Sequence, residues 1–218
     1  MLFVYELGSI FTDQMSAKSG IDQWLHWFMD LFGAGHLVIL PVVTAGILLH
    51  SHHRIKDRWQ INPRILPGMF AESLCLGAIL FFAGNALYQF IVIDLPSSQI
   101  VSTGDAIANT RTWSTTIAYV GSGVYEELFF RLILLNGLIQ VGKFYLPKQQ
   151  AHVISMILTS LIFAAVHYHF CNPAGAVFDV QGFLFRFLAS LVFCLLYLFR
   201  GFGVAVGTHV AYDVMTQI

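Results

Sequence analysis

Residues 182–199 read GFLFRFLASLVFCLLYLF, eighteen positions with one charge, Arg186. A helix at the surface of a soluble domain keeps a polar stripe, whereas this run is apolar all round, the pattern of a helix bathed in lipid. Working outward, comparable stretches lie at about 31–49, 69–93, 114–141 and 152–169, with a shorter one from 203 to the end. Composition agrees: 57% of the 218 residues are hydrophobic and 11% charged, with a mean hydropathy of +0.72. Average soluble domains carry about 25% charged residues, so water cannot cover this exterior and lipid must. The sequence therefore predicts an all-α fold, a polytopic transmembrane helical bundle of about six spans, forming a single membrane domain over residues 1–218. The formal net charge of -1 excludes a strong pull on nucleic acid; the partners this composition implies are membrane lipids.

The segment 1–30 is too polar to span. Within 21–32, IDQWLHWFMDLF, the tryptophans, Leu25, Phe28 and Phe32 recur at near-helical spacing, with Asp22, Gln23, His26 and Asp30 between them. It reads as an N-terminal interfacial amphipathic helix, or as the frayed start of the first span. The first ten residues lack the basic opening of a secretory signal and reach Asp13 and Gln14 before any small-residue cleavage site. Lys and Arg concentrate after the first, third and fifth spans, at Arg54, Lys56, Arg58 and Arg64, at Lys143 and Lys148, and at Arg200; the opposite side carries Lys18 and Arg111 and is richer in Asp. The positive-inside rule then makes the protein an integral, multi-pass membrane protein with a non-cytoplasmic N-terminus. Cys75, Cys171 and Cys194 are far apart in sequence and offer no disulfide framework or cysteine metal motif.

An ionisable side chain inside a span costs about 2.5–3.5 kcal/mol on insertion scales and marks function by default. Three clusters stand out: Glu126, Glu127 and Arg131 in YEELFFRL; Phe163 and His167 near the end of the fourth span; and His209 with Asp213 in the last. Glu127 and Arg131, at i and i+4, share a helix face and can pair; Glu126 lies about 100° around the helix and is left to act as a general base. Gly203 and Gly207 form a small-xxx-small pair that lets the last helix approach a neighbour closely, bringing His209 inward. Each residue also has a plainer reading. Glu127 with Arg131 is equally a structural ion pair, His167 alone a hydrogen-bonded packing residue, and Asp213 an orienting partner for His209 or a terminal cap. Taken together, three helices contribute acids and imidazoles in a chain with few polar residues to place.

In this order and on separate spans, Glu126-Glu127-x-x-x-Arg131, Phe163-x-x-x-His167 and His209-x-x-x-Asp213 resemble the signature of the CAAX prenyl endopeptidase and bacteriocin-processing (CPBP, or Abi) intramembrane proteases, over residues 119–215. The resemblance implies a helical bundle with catalytic groups in an intramembrane cavity, acting on a peptide or protein substrate with a membrane-proximal cleavage site. Glu126 and His167 would activate a water to attack a peptide carbonyl, His209 and Asp213 would sit where the oxyanion develops, and Glu127, Arg131 and Phe163 would support them. It implies a metal-free site, with zinc on Glu126, His167 and His209 as the alternative, a donor set like those of catalytic zinc sites but without a His-Glu-x-x-His helix.

The family motif ends in Asn where this chain has Asp213. Asparagine offers an N–H to an oxyanion, and an ionised aspartate only acceptors. Asp213 is therefore protonated, or holds His209 in a donor tautomer, or belongs to a metal site, or marks lost activity. Counting from the loop charges sets His167 near the outer end of its span and His209 near the inner end of the last, a mismatch on the order of 15 Å at the rise of a helix. Two other functions compete. A proton-coupled transporter would relay protons through intramembrane Glu, His and Asp, but these cluster in the second half and no inverted repeat is visible. A catalytically silent immunity or binding protein of the same fold would accommodate Asp213. Further polar residues read as peripheral: His50, His52 and His53 as a lipid-facing basic stretch or a metal clip, Glu72 as a cavity or helix-start residue, Asn85 as an interhelical hydrogen-bond partner, and Arg186 as a snorkelling arginine.

Overall fold

The computed structural model describes residues 45–50, 52–53, 63–92, 113–168 and 176–216. The expected interfacial helix at 21–32, most of the first span, the basic loop past His53 and the polar loop at 94–112 lie outside them. The described residues are helical, with no strand beyond an isolated bridge between Tyr168 and Ala176. Helix α1 is Leu66–Val92 and α2 is Trp113–Glu127. Without a break, α2 enters a π-helical segment, Leu128–Leu135, and then α3, Asn136–Tyr145; Glu127 and Asn136 at its two ends keep right-handed helical dihedrals. The rod ends where Leu146 turns extended before Pro147, as a residue preceding proline must. Helix α4, Lys148–Ala165, runs back, and α5, Val180–Arg200, starts on Asp179, whose side chain caps the Gly182 N–H. Gly201 alone joins α5 to α6, Phe202–Met215; its φ of +91° is the left-handed backbone that glycine adopts without strain.

Among the described residues, three stretches are long and apolar enough to cross a membrane, Leu66–Leu87, Val120–Tyr145 and Val180–Arg200, and they coincide with the second, third and fifth expected spans. Helix α4 opens on Lys148, Gln149 and Gln150 and is less apolar. Helix α6 has only 14 residues, about 21 Å at 1.5 Å per residue against a hydrocarbon core of about 30 Å.

Polarity is inverted relative to a soluble bundle. Phe70, Ile79 and Phe82 on α1, Val153, Ile157, Leu158 and Leu161 on α4, and Leu188, Leu195 and Phe199 on α5 face outward. The interior holds Ser155, Thr159, Ser160, Ser190, Thr208, Glu126, Glu127, Arg131 and His209. A lipid exterior makes that distribution favourable, since outward apolar groups lose nothing there and the inward ionisable groups pair with one another.

Glycine brings α6 into the centre. A Cβ on Gly207 would stand 2.6 Å from Ser73 Oγ, and one on Gly77 would stand 2.7 Å from Ala211 Cβ, so α1 and α6 cross nearly backbone to backbone. Gly203, the other half of the expected small-residue pair, makes ordinary contact with Met69 at 3.4 Å. Gly123 plays the same part for α2, a Cβ there meeting Val210 Cγ2 at 3.0 Å.

Candidate active site

The seven residues singled out from the sequence converge. Glu126 is the penultimate residue of α2, two positions before the π segment, and its Oε2 lies 3.9 Å from His167 Nε2 and 3.6 Å from His209 Nε2. The mismatch of about 15 Å expected from helical rise is absent. His167 lies just beyond the last turn of α4, and the short α6 starts from the one-residue Gly201 link, so His209 in its middle reaches the level of Glu126. His167 also lies beside Phe163, with ring centres 4.8 Å apart.

Both imidazoles are oriented from their far side. His167 Nδ1–H donates to the Phe163 carbonyl at 2.7 Å. Because a carbonyl only accepts, the proton of the neutral ring sits on Nδ1 and the Nε2 lone pair faces Glu126. His209 Nδ1–H donates to Glu127 Oε1 at 2.7 Å, and its ring stacks on Phe193 with centres 4.6 Å apart. Glu127, not Asp213, therefore sets the orientation of His209; Asp213 Oδ2 lies 3.6 Å from Nε2, on the same side as Glu126.

Glu127 is the hub of the support. Its Oε1 also lies 2.9 Å from Arg131 Nη1, and both side chains are wholly buried. Arg131 donates from Nη2 to Ser190 Oγ at 3.1 Å, and its guanidinium packs over the rings of Phe163 and Phe193 at 4.7 and 5.2 Å. A buried cation of this kind persists only because it is paired, hydrogen-bonded and held over π faces. Glu126 has its own partner: Ser122, one turn earlier, donates to Oε1 at 2.9 Å, leaving Oε2 directed at the two imidazoles. Ser122 sits at i−4 on the Glu126 face and was detectable by helical spacing; Ser190 and Phe193 lie in the apolar 182–199 run, where no motif marks them.

The cluster opens into a cavity of about 810 Å³, lined among others by Ser122, Glu126, His167, Arg186, His209 and Asp213. Arg186 does not snorkel outward: its Nη1 donates to Tyr168 Oη at 2.9 Å, and the guanidinium lies 5.2 Å from the centre of that ring. Asn85 lines the same cavity. Glu72 does not; it forms a two-pronged pair with Arg200 at 2.7 and 2.6 Å on the exposed side of α1. Among the described residues, no three of His, Cys, Asp and Glu are arranged to hold a metal ion. The Nδ1 of His167 and of His209 each has the kind of outer partner that metal-bound histidines use.

Outward apolar helices closed around buried carboxylates and imidazoles define the class, an integral membrane helical bundle with an internal polar site. Residues 108–215 match the family described as type II CAAX prenyl endopeptidase Rce1-like. Over this C-terminal half the chain belongs to that family, and with it to the CPBP membrane proteases that its motifs resemble. Membership of a protease family does not favour the transporter reading. No curated protein and no solved structure matches the chain.

Proposed function

We propose that the chain is an intramembrane endopeptidase that hydrolyses peptide bonds of membrane-associated or lipidated peptides with a water activated by Glu126 and His167. The observation that carries this reading is the approach of Glu126 Oε2 to two Nε2 atoms, at 3.9 and 3.6 Å, in the wall of a cavity. These separations exceed direct hydrogen bonds, so a water seated against the three atoms can hydrogen-bond to each.

Glu126 takes the proton of that water as it attacks the carbonyl carbon, and His167, whose Nε2 carries a lone pair toward the same point, shares in accepting it. The carbonyl oxygen becomes an oxyanion beside His209 and Asp213. With Nδ1 committed to Glu127, His209 donates from Nε2 when its ring carries both protons, Glu127 supplying the counter-charge. Asp213 contributes a donor when protonated. The proton held by Glu126 then passes to the departing amine. Arg131, Ser190 and Phe163 fix Glu127 and the two rings, so that little reorganisation accompanies the chemistry. No metal takes part in this scheme.

We place the whole chain in the membrane as one domain, 1–218, crossing about six times with the N-terminus outside, its partners lipids and a peptide substrate. The inverted amphipathicity of α4 supports counting it as a span despite its polar first turn.

Cleavage of membrane peptides by the purified chain, with Glu126→Gln and His167→Ala beside the wild type and chelator present or absent, tests the mechanism. Each substitution is expected to lower the rate by about 10²–10⁴, the usual size of a general-base effect, and the chelator to do nothing. Undiminished cleavage by both variants would refute the glutamate–histidine water; loss on chelation restored by zinc would replace it with a metal mechanism.

A further inference from the structure

We propose that Arg186 is a specificity-determining residue whose guanidinium binds a carboxylate of the peptide lying across Glu126 and His167; this rests on the proteolytic reading above. The cavity wall contains Glu126, Asp179 and Asp213, and among the described lining residues Arg186 is its one Lys or Arg. Most of the Arg186 fork is uncommitted. A guanidinium has five N–H donors, and among the described residues Arg186 has one hydrogen bond, to Tyr168 Oη, and no carboxylate paired with it.

The group is nevertheless held in place. The Tyr168 ring packs against it at 5.2 Å, and Tyr168 Oη donates in turn to the Asp179 carbonyl at 3.2 Å. Gly182 makes the seat: a Cβ there would lie 2.7 Å from Arg186 Nη1 and 2.6 Å from Asp179 Oδ2. With no side chain at Gly182 the arginine folds back against the first turn of α5, and the Asp179 carboxylate next to that turn accepts from the Gly182 N–H and, at 3.5 Å, from Tyr168 Oη. A planar cation fixed on an aromatic face with its remaining donors toward a cavity is suited to a planar, two-oxygen anion.

Position along α5 separates this seat from the chemistry. Phe193, on which His209 stacks, is seven residues further along the helix, about 10 Å at 1.5 Å per residue. Extended peptide covers about 3.3–3.6 Å per residue, so an anion at Arg186 belongs to a part of the substrate a few residues from the reacting carbonyl. Elsewhere in the cavity the same anion meets Glu126 or Asp213 and is repelled. The carboxylate is either the chain terminus or an acidic side chain near the cleaved bond; both present the same two oxygens.

The test is binding, which needs no turnover. The full chain carrying Glu126→Gln, in lipid nanodiscs, is titrated with fluorescent membrane peptides ending in a free acid or an amide, and with a Glu or a Gln near the cleavage position. Neutralising one of these two carboxylates is expected to weaken binding about tenfold or more, the size of a charge-assisted pair. Adding Arg186→Gln should abolish that difference while leaving the neutral peptides bound as before, and Arg186→Lys should keep part of it. Equal binding of charged and neutral peptides, or a difference that survives Arg186→Gln, overturns the proposal. So does loss of the neutral peptides in Arg186→Gln, which would make the residue structural, or a dependence on anionic nanodisc lipid in place of the peptide charge. The outcome separates from the protease reading: charge-selective binding by a chain that never cleaves leaves the seat intact and removes the enzyme, and charge-indifferent cleavage does the reverse.

Discussion

Glu126 and Glu127 are neighbours in sequence with opposite duties, and substitution should pull them apart. Glu127→Gln removes the counter-charge of a wholly buried Arg131 and the orienting acceptor of His209. Breaking a buried pair from one side costs about 3–5 kcal/mol, so thermal unfolding in detergent should fall sharply. Glu126→Gln keeps the Ser122 hydrogen bond and should unfold near the wild type while losing activity. Equal stability of the two variants would contradict the division of labour. Asp213 gives a second prediction: Asp213→Asn places an N–H donor 3.6 Å from His209 Nε2 and should cleave at least as fast as the wild type, whereas Asp213→Ala should be slower. An asparagine variant slower than the alanine one would show that the carboxylate itself acts. At this scale the sequence was informative, because ionisable groups are costly in lipid and few in number. It could not reveal that Glu127 serves His209 as well as Arg131, since that bond joins residues 82 positions apart. Ser190 and Phe193 carry no charge to betray them.

At the scale of elements, the small residues of α6 announced a close helix contact but not its partner. Gly207 meets Ser73 on α1, and Ala211, outside the expected pair, meets Gly77. Gly207→Ala would force a methyl to within 2.6 Å of Ser73 Oγ and should cost about 1–3 kcal/mol, as overpacking does. Ser73→Gly in the same chain should recover most of that loss. If the double variant is no more stable than Gly207→Ala alone, the crossing is not where the tension lies. Helix partners escape sequence reading because spacing reports a face and not what covers it. The π segment escaped for a related reason: 128–135, LFFRLILL, has the apolar pattern of any helix, and i→i+5 bonding leaves no compositional mark.

For the whole molecule, the predicted exterior is lipid, and α4 is the place to test it. Leu158, 43% exposed on α4, faces the acyl chains if α4 spans. Leu158→Arg should then impair membrane insertion by about 2.5–3.5 kcal/mol, read as lost yield in the membrane fraction; on a watered helix the same change stays within about 0.5 kcal/mol. Wild-type yield would remove α4 from the spans. The all-helical, membrane-embedded character was legible from composition, because no water-soluble surface can be made with 11% charged residues. The count of about six was read from hydropathy alone, which ranks α4 and α6 lowest: α4 opens on the exposed Lys148, Gln149 and Gln150, and α6 has 14 residues.

Gly201 has a mechanical corollary. With one residue between them, α5 and α6 have no slack and swing as a single jointed lever, so Phe193 and Ser190 travel with His209 whenever either helix moves. The floor beneath the reacting atoms is thereby one coupled surface, the Phe193 ring stacked on His209. Admitting a peptide must fall to the opposite walls, where α1 leans on α6 and the Ala176 N–H holds the His167 carbonyl.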